Sequence, residues 1–464
     1  MLINLIVAVD QAGGISKNGY IPWYCRADMK RFAEITTVTK DTAKQNAVVM
    51  GRKTFETIGK DLPKRCNYIL SNSLTEIKGY SATEMKESKP LESLFNEISQ
   101  RTDIERVFVI GGESVYRQVL EHWSHKIDKI YVTHLTIDAH CTQFFPIEFL
   151  KERCHLVYEQ PQFDSGIHLY FREYIVKNLQ EVQYLELLEK ILKTGDHRVE
   201  RTGVGVRSLF GVRMEFDIED RLPLLTTKKV FWKTILCELL WFISGSTDAT
   251  ILQQKGIRIW DGNTSREFLD RRGLSHLPVG DIGEGYGFNW RHFGAEYLDC
   301  HTDYTGKGKD QLAEIVRLIR EEPTSRRILL SAWNPLTLHK AALPPCHVLC
   351  QFYVRGKNLD CQLYQRSGDM ALGVPFNIAS YSILTYMLAA VTGLKPGRFI
   401  HVIGDAHIYD NHIVGVEEQL KRFPYQFPVL KLKNTRTNLF DFVEEDFELE
   451  GYQSHGTIKL KMAV

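Results

Sequence analysis

The stretch "LPPCHVLCQFYV", Leu343 to Val354, predicts one strand of the fold and a stiff approach to it. Proline fixes φ and lacks an N–H group, so Pro344 and Pro345 exclude a helix here and stiffen the backbone just before Cys346. The apolar run that follows is typical of a strand. A rigid arm suits a thiol that must meet one reacting atom, and it also suits a plain buried cysteine. The rest of the chain must decide between the two.

The composition limits the class of protein. With 464 residues the chain is too long for one ordinary core, which predicts two or more domains. It is 44% hydrophobic and 25% charged with a net charge of +1, which argues against a general nucleic-acid binder. Nine cysteines, an odd number, make no disulfide framework and favour a reducing, cytoplasmic location. The opening "MLINLIVAVD" predicts a buried strand, and no apolar run is expected to span a membrane.

Residues 1–177 alternate short apolar runs with helical patterns. The predicted strands are "LIVAV", "NAVVM", "NYILS", "RVFVIGG" and "KIYVTHL", and helices are predicted to begin near Asp28, Thr54, Pro90 and Glu113. This alternation predicts an α/β domain whose mainly parallel sheet is covered on both faces. The runs "CHLVYEQ" and "IHLYFREYIV" have no helix between them and predict a closing antiparallel hairpin.

The pattern changes at Leu179, where "LQEVQYLELLEKILKTG" predicts an amphipathic helix that stops at Gly195. The apolar face is predicted to carry Val182, Leu185, Leu188 and Leu192. A second domain is therefore predicted over 178–464. Because no linker-like composition separates the two regions, we expect the domains to pack closely.

Three motifs in the first half could carry chemistry. "VIGGESVY" places two glycines between a strand and a helix, a weak signal for phosphate binding. Arg52 and Lys53 in "MGRKTF" could hold the extra phosphate of NADPH, or they could be an ordinary surface pair. Asp28 shares a helix face with Phe32 and Ile35, so its carboxylate either enters apolar surroundings or stabilises the first turn.

The first half resembles dihydrofolate reductase. "GGISKNGYIPW", Asp28 with Phe32, "VVMGRKTF", "LPKR", "VIGGESVY" and "YVTH" occur in the order and spacing of that family. The resemblance implies hydride transfer from NADPH to dihydrofolate, with the proton supplied through Asp28, and a cis peptide at the two glycines. Two departures flank the pocket and leave inhibitor selectivity open: Phe55 where tryptophan is frequent, and Tyr24-Cys25.

The resemblance also assigns residues. Those implied to bind the folate are Asp28, Thr133, Phe32, Ile58, Arg65 (on the glutamate carboxylate) and the carbonyls of Ile6 and Ile110. Those implied to contact NADPH are Ala8, Gly14, Ile15, Gly51, Arg52, Lys53, Thr54, Ser71, Gly111, Gly112, Glu113 and Tyr116.

Polar residues in apolar or clustered positions stand out in the second half. Glu238 shares a helix face with apolar neighbours, a costly place for an idle carboxylate. His407 and Tyr409 are two apart and would share one face of a strand. Arginines suggest a phosphate site, although such pairs also occur on plain surfaces, and they are Arg201, Arg326, Arg327 and Arg366. On one strand, Arg326 and Arg327 would leave opposite faces, so a shared phosphate needs a bend there.

Residues 179–464 resemble thymidylate synthase, an α+β fold, through "LPPCH", "YQRSGDM", "VPFNIASY", "GDAHIY" and "HFGAEY". The order of the halves resembles the bifunctional dihydrofolate reductase–thymidylate synthase family. The resemblance makes Cys346 the nucleophile that attacks C6 of dUMP, with Arg366 beside it. It implies methylation by 5,10-methylenetetrahydrofolate to give dTMP and dihydrofolate, in a homodimer whose sites share Arg326 and Arg327 of the partner subunit.

Further roles follow from the same resemblance. Glu238 and Tyr286 are implied in proton transfer. The nucleotide would be held by Arg201, Arg366, Ser367, Asn377, His407 and Tyr409. The folate would be contacted by Trp260, Asn263, Asp369 and the C-terminal Val464. Departures on the folate side are Glu284-Gly285, Ala371 and Gly456.

Other interpretations stay open at this point. Cys346, His347 and Cys350, with Cys361 as an optional fourth ligand, have loosely zinc-like spacing. However, the segment is strand-like and no second tight pair exists, so no metal is expected. A binding protein without turnover, or one active and one degenerate site, would be alternatives to a bifunctional enzyme. No nucleic acid is expected as a partner.

Overall fold

The computed structural model describes residues 3–70, 91–199 and 203–461. The chain divides into two compact units, Met1–Lys177 and Asn178–Val464. Three residues with predicted roles, Ser71, Arg201 and Val464, lie outside the described residues.

The first unit is built on strands joined by helices. Its strands are β1 Ile3–Val9, β2 Gly14–Ser16, β3 Gln45–Gly51, β4 Arg65–Leu70, β5 Ile104–Gly111, β6 Ile127–Leu135, β7 Gln143–Phe144, β8 Cys154–Asp164 and β9 Ile167–Val176. Its helices are α1 Arg26–Thr37, α2 Arg52–Ile58, α3 Leu91–Ser99, α4 Glu113–His122 and α5 Ile147–Arg153.

The predicted mainly parallel sheet is confirmed. Seven strands run in the order β4-β3-β5-β1-β6-β9-β8, and only the closing β8–β9 hairpin and its junction with β6 are antiparallel. The central strands are buried on both faces because two separate apolar clusters cover the sheet. The strands β3 and β5 end at Gly51 and Gly111. The helix α2 begins at the next residue and α4 begins after Gly112, so both helix starts lie at one edge of the sheet.

The helix α1 begins two residues before the predicted start. Its N-cap position is Cys25, and the carboxylate of Asp164, in the β8–β9 hairpin, accepts the Ala27 N–H at 2.8 Å. A distant carboxylate therefore caps this helix, which a local reading of the sequence could not reveal.

The second unit mixes helices with a largely antiparallel sheet. Its helices are α6 Leu179–Thr194, α7 Trp232–Ile243, α8 Thr250–Gln254, α9 Arg266–Arg271, α10 Tyr286–His292, α11 Gln311–Glu321, α12 Gly373–Thr392 and α13 Ile413–Leu420. Its strands are β10 Asp196–Val199, β11 Gly205–Asp217, β12 Leu329–Ser331, β13 His347–Arg355, β14 Asn358–Asp369, β15 Lys395–Tyr409, β16 Val429–Leu432 and β17 Phe447–Glu450.

Six of these strands form one sheet in the order β10-β11-β15-β14-β13-β12, in which the β14–β15 pair is parallel. The helix α12 packs on β14 and β15 in the core. The expectation that no apolar run reaches membrane length is wrong for this helix: among the described residues, α12 alone is long and apolar enough. However, 83% of its apolar span is buried, as expected of a core helix that is apolar all round.

The buried face of α6 differs from the predicted one. Tyr184, Leu188 and Ile191 are fully buried, whereas Leu185 and Leu192 are only partly so. The buried face also contains Glu181, whose carboxylate accepts the N–H and O–H groups of Thr226 and Thr227 at 2.7–2.9 Å. Those hydrogen bonds offset the cost of a buried carboxylate, and so the helix turns a polar residue inward.

The two units follow each other in the chain without a linker, and both residues at the junction are hydrogen-bonded within their own unit. The Lys177 N–H donates to Arg153 O at 2.8 Å within the first unit. The next residue, Asn178, caps α6 by accepting the Glu181 N–H, and its amide donates to Tyr425 O at 3.0 Å within the second unit.

Candidate functional sites

The proline arm before Cys346 is held by one arginine. Arg366 on β14 donates to Pro345 O at 2.9 Å and to Pro344 O at 2.8 Å, and its Nη2 lies 3.6 Å from Cys346 Sγ. The two prolines have no N–H of their own, but their carbonyls accept from the guanidinium. A fixed positive charge next to a thiol favours the thiolate, which is the reactive form.

Tyr286 and His347 flank the same thiol. The phenol oxygen of Tyr286, at the start of α10, accepts the Cys346 N–H at 2.7 Å. Burial and the nearby Cys346 raise the pKa of Tyr286, so the phenol keeps its proton. Burial lowers the pKa of His347 to about 4, and a hydrogen bond with Asn377 opposes that shift. His347 is therefore neutral, and it orients Asn377 of α12 by a fixed hydrogen bond.

Glu238 lies in the middle of α7. The Trp260 indole donates to its carboxylate at 2.9 Å. Burial raises the pKa of Glu238 to about 7, and this hydrogen bond opposes the shift. A carboxyl that titrates near neutrality can both accept and release a proton, as the predicted role requires. Asn263 follows in the next turn, where its N–H donates to Trp260 O at 3.1 Å.

The predicted pairing of His407 with Tyr409 is present on β15, where their ring centres are 5.2 Å apart. His407 Nδ1 lies 3.1 Å from Asp405 Oδ1, and the hydrogen bond with His407 lowers the pKa of Asp405. The adjacent strand β14 places Ser367 opposite Asp405 and Asp369 opposite His407. The structure thus brings these predicted residues to one end of the β14–β15 pair.

Arg326 and Arg327 are exposed and lie in a turn before β12 rather than on the strand. The Leu329 N–H donates to Arg327 O at 2.9 Å, which turns the chain at this point. The bend that a shared phosphate would need is therefore present.

A buried lysine escaped the sequence analysis. Lys228 donates to Ala371 O, and burial lowers its pKa to about 8 while the charge of Asp369 opposes that change. Asp369 accepts the N–H groups of Ala371 and Leu372 at 2.9 and 3.1 Å. The only sequence signal was a lysine in the mainly uncharged run "LPLLTTKKV".

The alternative zinc site finds no support around Cys346. Cys350 and Cys361 are buried in the sheet, where neither thiol is accessible to solvent. Among the described residues, the one group of donor atoms close enough for a metal ion is Asp248, Cys300 and His301, which contains none of the proposed ligands.

Three of the departures on the folate side, Glu284, Gly285 and Ala371, have structural roles here. Glu284 is buried, burial raises its pKa, and Asn334 donates to it at 3.4 Å. Its N–H donates to Lys340 O, so it contacts the segment that leads to the proline arm. Gly285 is the N-cap of α10, and Ala371 supplies the carbonyl that holds Lys228.

In the first unit, Asp28 lies in the first turn of α1 and contacts β6. Burial raises its pKa, while a hydrogen bond with Thr133 and the charge of Arg31 oppose that rise. The prediction that this carboxylate enters apolar surroundings agrees with the cause of the shift.

Apolar residues form a wall beside Asp28. Phe32 of α1 and Ile58 of α2 pack on a buried cluster that includes Ile6, Ile110 and Phe55. Arg65 lies at its edge, where it donates to Thr36 Oγ1 at 2.7 Å and lies 5.8 Å from the Phe32 ring. Burial lowers the pKa of Arg65.

The two glycines at the end of β5 are joined by the predicted cis peptide. Gly111 has φ +120°, and a Cβ there would meet the Tyr116 ring at 3.3 Å. A Cβ on Gly112 would lie 3.3 Å from Thr54 Oγ1. A side chain at either glycine would be tightly packed, and at Gly111 its backbone would also be strained, so the two glycines keep the backbone accessible to a ligand. The Tyr116 phenol donates to Ile6 O at 2.7 Å, so this carbonyl already has a donor.

The remaining predicted cofactor residues surround that edge. The Gly14 N–H, on β2, donates to Asp10 at 2.7 Å, and a Cβ there would collide with Cys141. Arg52 pairs with Glu56 at 3.5 Å on the surface of α2, one residue before Lys53. The other residues assigned from the resemblance are Ala8 in β1, Ile15 in β2, Gly51 at the end of β3, and Glu113 at the start of α4.

Comparison with known proteins agrees with both halves. The family model for dihydrofolate reductase matches residues 2–174, and that for thymidylate synthase matches residues 182–464. A bifunctional dihydrofolate reductase-thymidylate synthase of Zea mays is 44% identical over 506 residues, covering 99% of this chain and 96% of the relative.

Two further similar proteins are also bifunctional dihydrofolate reductase-thymidylate synthases. The Paramecium tetraurelia protein is 42% identical over 472 residues, covering 99% of this chain and 98% of the relative. The Leishmania amazonensis protein is 43% identical over 495 residues, covering 99% and 95%. With both domains matched in this order, the chain belongs to the bifunctional dihydrofolate reductase–thymidylate synthase family and catalyses both dTMP synthesis and the reduction of dihydrofolate.

Proposed function

We propose that the second unit transfers the one-carbon group of 5,10-methylenetetrahydrofolate to dUMP through a covalent bond between Cys346 and C6 of the uracil. The contact that carries this proposal is the 3.6 Å approach of Arg366 to Cys346 Sγ at the end of a rigid proline arm. The thiolate attacks C6, and the nucleotide's C5 then accepts the one-carbon unit. Hydride transfer from the folate completes the methyl group and leaves dihydrofolate.

The nucleotide is oriented by groups that the geometry brings together. Asn377, oriented by neutral His347, reads the uracil edge, while His407 and Tyr409 hold the ribose hydroxyl. Its phosphate is held by Arg366 and Ser367 with Arg201, a residue outside the described part of the chain.

Glu238 and Tyr286 handle protons in this reaction. Glu238 titrates near neutrality and works through a water network, and Tyr286 assists loss of the proton from C5. The folate lies against Trp260 and Asn263, with Asp369 as a further polar contact.

The tail closes over the folate in this proposal, with the Val464 carboxylate fixing the closed state. The described part of the tail is anchored, because His412 Nε2 lies 2.7 Å from Lys461 O and Leu460 packs against Gly415. Removing Val464 should cut synthase turnover severely while dUMP still binds. A normal rate in the shortened protein would make the tail purely structural.

The first unit uses NADPH, which supplies a hydride to C6 of dihydrofolate when bound. Gly111 and Gly112 let the backbone approach the cofactor, and Arg52 with Lys53 at the start of α2 favour its extra phosphate. Phe32, Ile58 and the neighbouring apolar wall hold the folate ring, and Arg65 binds its glutamate carboxylate.

Asp28 directs a proton to N5 of the substrate. It binds the pteridine, and burial raises its pKa above the ordinary value, which increases the proton affinity of the surrounding network. Because the reaction consumes a proton, reductase activity falls as the pH rises through the pKa of this network.

We further propose a homodimer through the second unit, in which Arg326 and Arg327 of the partner subunit complete each phosphate site. Large apolar side chains support it, since Phe210, Leu329 and Tyr353 on β11, β12 and β13 are exposed.

All nine cysteines are free thiols, which supports a reducing cytoplasm as the compartment.

Separate steady-state assays test these proposals. Cys346→Ala should abolish dTMP formation and leave NADPH-dependent reduction intact, and appreciable synthase turnover would remove the nucleophile assignment.

Cofactor choice is tested by Arg52→Gln with Lys53→Gln, which should raise KM for NADPH about tenfold more than for NADH, the loss expected for weakened charge-assisted contacts. Equal changes would assign the phosphate to other residues.

The shared arginine is tested by co-expressing Cys346→Ala with Arg327→Glu subunits. One site of the heterodimer would then combine an intact cysteine with an intact partner arginine. Synthase activity should reappear in purified heterodimers, although each parent is inactive and folded. Heterodimers without activity would exclude a phosphate site shared across the interface.

A further inference from the structure

Arg31 is a half-buried cation beside the proposed folate pocket, and none of the roles above uses it. It lies three residues after Asp28 on α1, so both side chains leave the same face of the helix. Its guanidinium carbon lies 4.5 Å from the centre of the Phe171 ring on β9. Burial lowers the pKa of Arg31, but a guanidinium remains charged in proteins, so a permanent positive charge is held here.

The guanidinium is fixed across two strands. Nη1 donates to Val132 O at 3.2 Å and to Thr133 Oγ1 at 3.4 Å on β6, and Nη2 donates to Arg172 O at 3.3 Å on β9. Val132 and Arg172 are paired in the antiparallel ladder, so the fork spans one register position. A side chain held at three acceptors and one ring face has little freedom to turn away.

The contact with Thr133 has a consequence for Asp28. A threonine hydroxyl has one hydrogen to donate and two lone pairs that accept. When Arg31 donates to the oxygen, the hydrogen remains for the carboxylate of Asp28, with which Thr133 is hydrogen-bonded. An ionised carboxylate can only accept, so this arrangement favours its charged form.

We propose that Arg31 is a positioning residue of the reductase, which turns the Thr133 hydroxyl toward Asp28 and sets the pH range in which that carboxylate works. The inference rests on the proposed role of Asp28 in proton delivery. Burial favours the neutral form of the Asp28 carboxyl, and Arg31 opposes that effect, so that Asp28 can bind the pteridine as an anion.

Other ionisable groups face this pair from the surrounding elements. Asp28 also faces Cys25 and Tyr116, and burial raises the pKa of both, which keeps them neutral near pH 7. The groups that face Arg31 from β6, β8 and β9 are Tyr131, Tyr158 and Glu173. Glu173 pairs with Lys129 at 2.7 Å, and burial raises the pKa of Tyr131.

The test is the pH profile of reductase kcat/KM in Arg31→Met, which keeps the length and apolar contact but removes charge and donors. Loss of a cation and of the oriented hydroxyl raises the pKa of Asp28, so the alkaline fall in activity should move up by about one pH unit. Arg31→Lys keeps the charge and should restore more than half of that shift. An unmoved profile in Arg31→Met would overturn the proposal.

Two controls separate this effect from damage to the fold. Lys30→Met removes a neighbouring exposed cation that pairs with Glu34 at 3.8 Å, and its profile should match that of the wild type. Synthase activity of the same chains reports that they are folded. If Lys30→Met shifts the profile as far as Arg31→Met does, general surface charge is responsible and the proposal fails.

The route through Thr133 is tested in a double-mutant cycle. In a Thr133→Val background, Arg31→Met should shift the profile by less than half as much as in the wild type. An equal shift would overturn the orienting role. Failure of the underlying function looks different, because Asp28→Asn would then keep full reductase activity, whatever Arg31 does.

Discussion

Asp28 in the first unit and Glu238 in the second are both carboxylates held among apolar residues on a helix, yet they are balanced differently. Asp28 lies in the first turn of α1, where a hydroxyl, a nearby cation and the positive end of the helix favour its charge. Glu238 lies in the middle of α7, where one indole N–H opposes burial, and its pKa rises to about 7. The environment, rather than the residue type, therefore sets where each carboxyl titrates.

The largest effects should come from removing each carboxylate in turn. Asp28→Asn should lower reductase kcat about 10²- to 10⁴-fold, the usual contribution of a general acid or base, and leave the synthase unchanged. Glu238→Gln should do the converse. Parallel assays of both activities on each variant provide the measurement, and each variant's intact activity is its folding control.

A difference between the two losses would sharpen the comparison. Asp28→Asn should recover part of its activity at low pH, where the substrate can arrive already protonated, whereas we expect no such recovery for Glu238→Gln. A reductase profile in Asp28→Asn with the same shape as that of the wild type would remove Asp28 from the proton network.

A smaller effect should follow from Trp260→Phe. This change removes the indole N–H that donates to Glu238 at 2.9 Å and keeps an aromatic ring in its place. A carboxylate that loses a donor is less stable as an anion, so the pKa of Glu238 should rise above about 7, by up to about one unit. The synthase inflection near neutral pH should move upward, and a downward shift would contradict the assigned cause.

The smallest effect concerns stability. The pKa of Glu238 is raised above its value in an unfolded chain, so the folded protein binds the proton more tightly and loses stability as the pH rises from about 4.5 to about 7. Glu238→Gln removes that penalty and still accepts from the indole. Its thermal midpoint should exceed that of the wild type at pH 8 by a few degrees, at about 2–4 °C per kcal/mol, and by less at pH 5. An equal gain at both values would indicate repacking.

Much of this architecture follows from local pattern. The strands β1, β3, β4, β5 and β6 are short apolar runs between helices, a periodicity that admits few other arrangements. The proline arm and the pairing of His407 with Tyr409 also follow, because proline geometry and the alternation of a strand act over a few residues.

The remainder depends on contacts between distant segments. The cap on α1 comes from Asp164, and the inward turn of Glu181 depends on Thr226 and Thr227. Lys228 is buried because the segment at Ala371 reaches it from far along the chain. No periodicity within a helix or strand contains that information, so burial of these polar groups could only be seen in the folded unit.

The junction at Lys177 and Asn178 fixes where the chain can be divided for separate expression. A reductase fragment that ends at Lys177 keeps the hydrogen bond that holds the end of its last strand to Arg153. A synthase fragment must retain Asn178, since without it α6 loses its cap and the contact with Tyr425. A cut even one residue later would remove that cap from the synthase fragment, so only a cut between these two residues leaves both halves with their own terminal contacts.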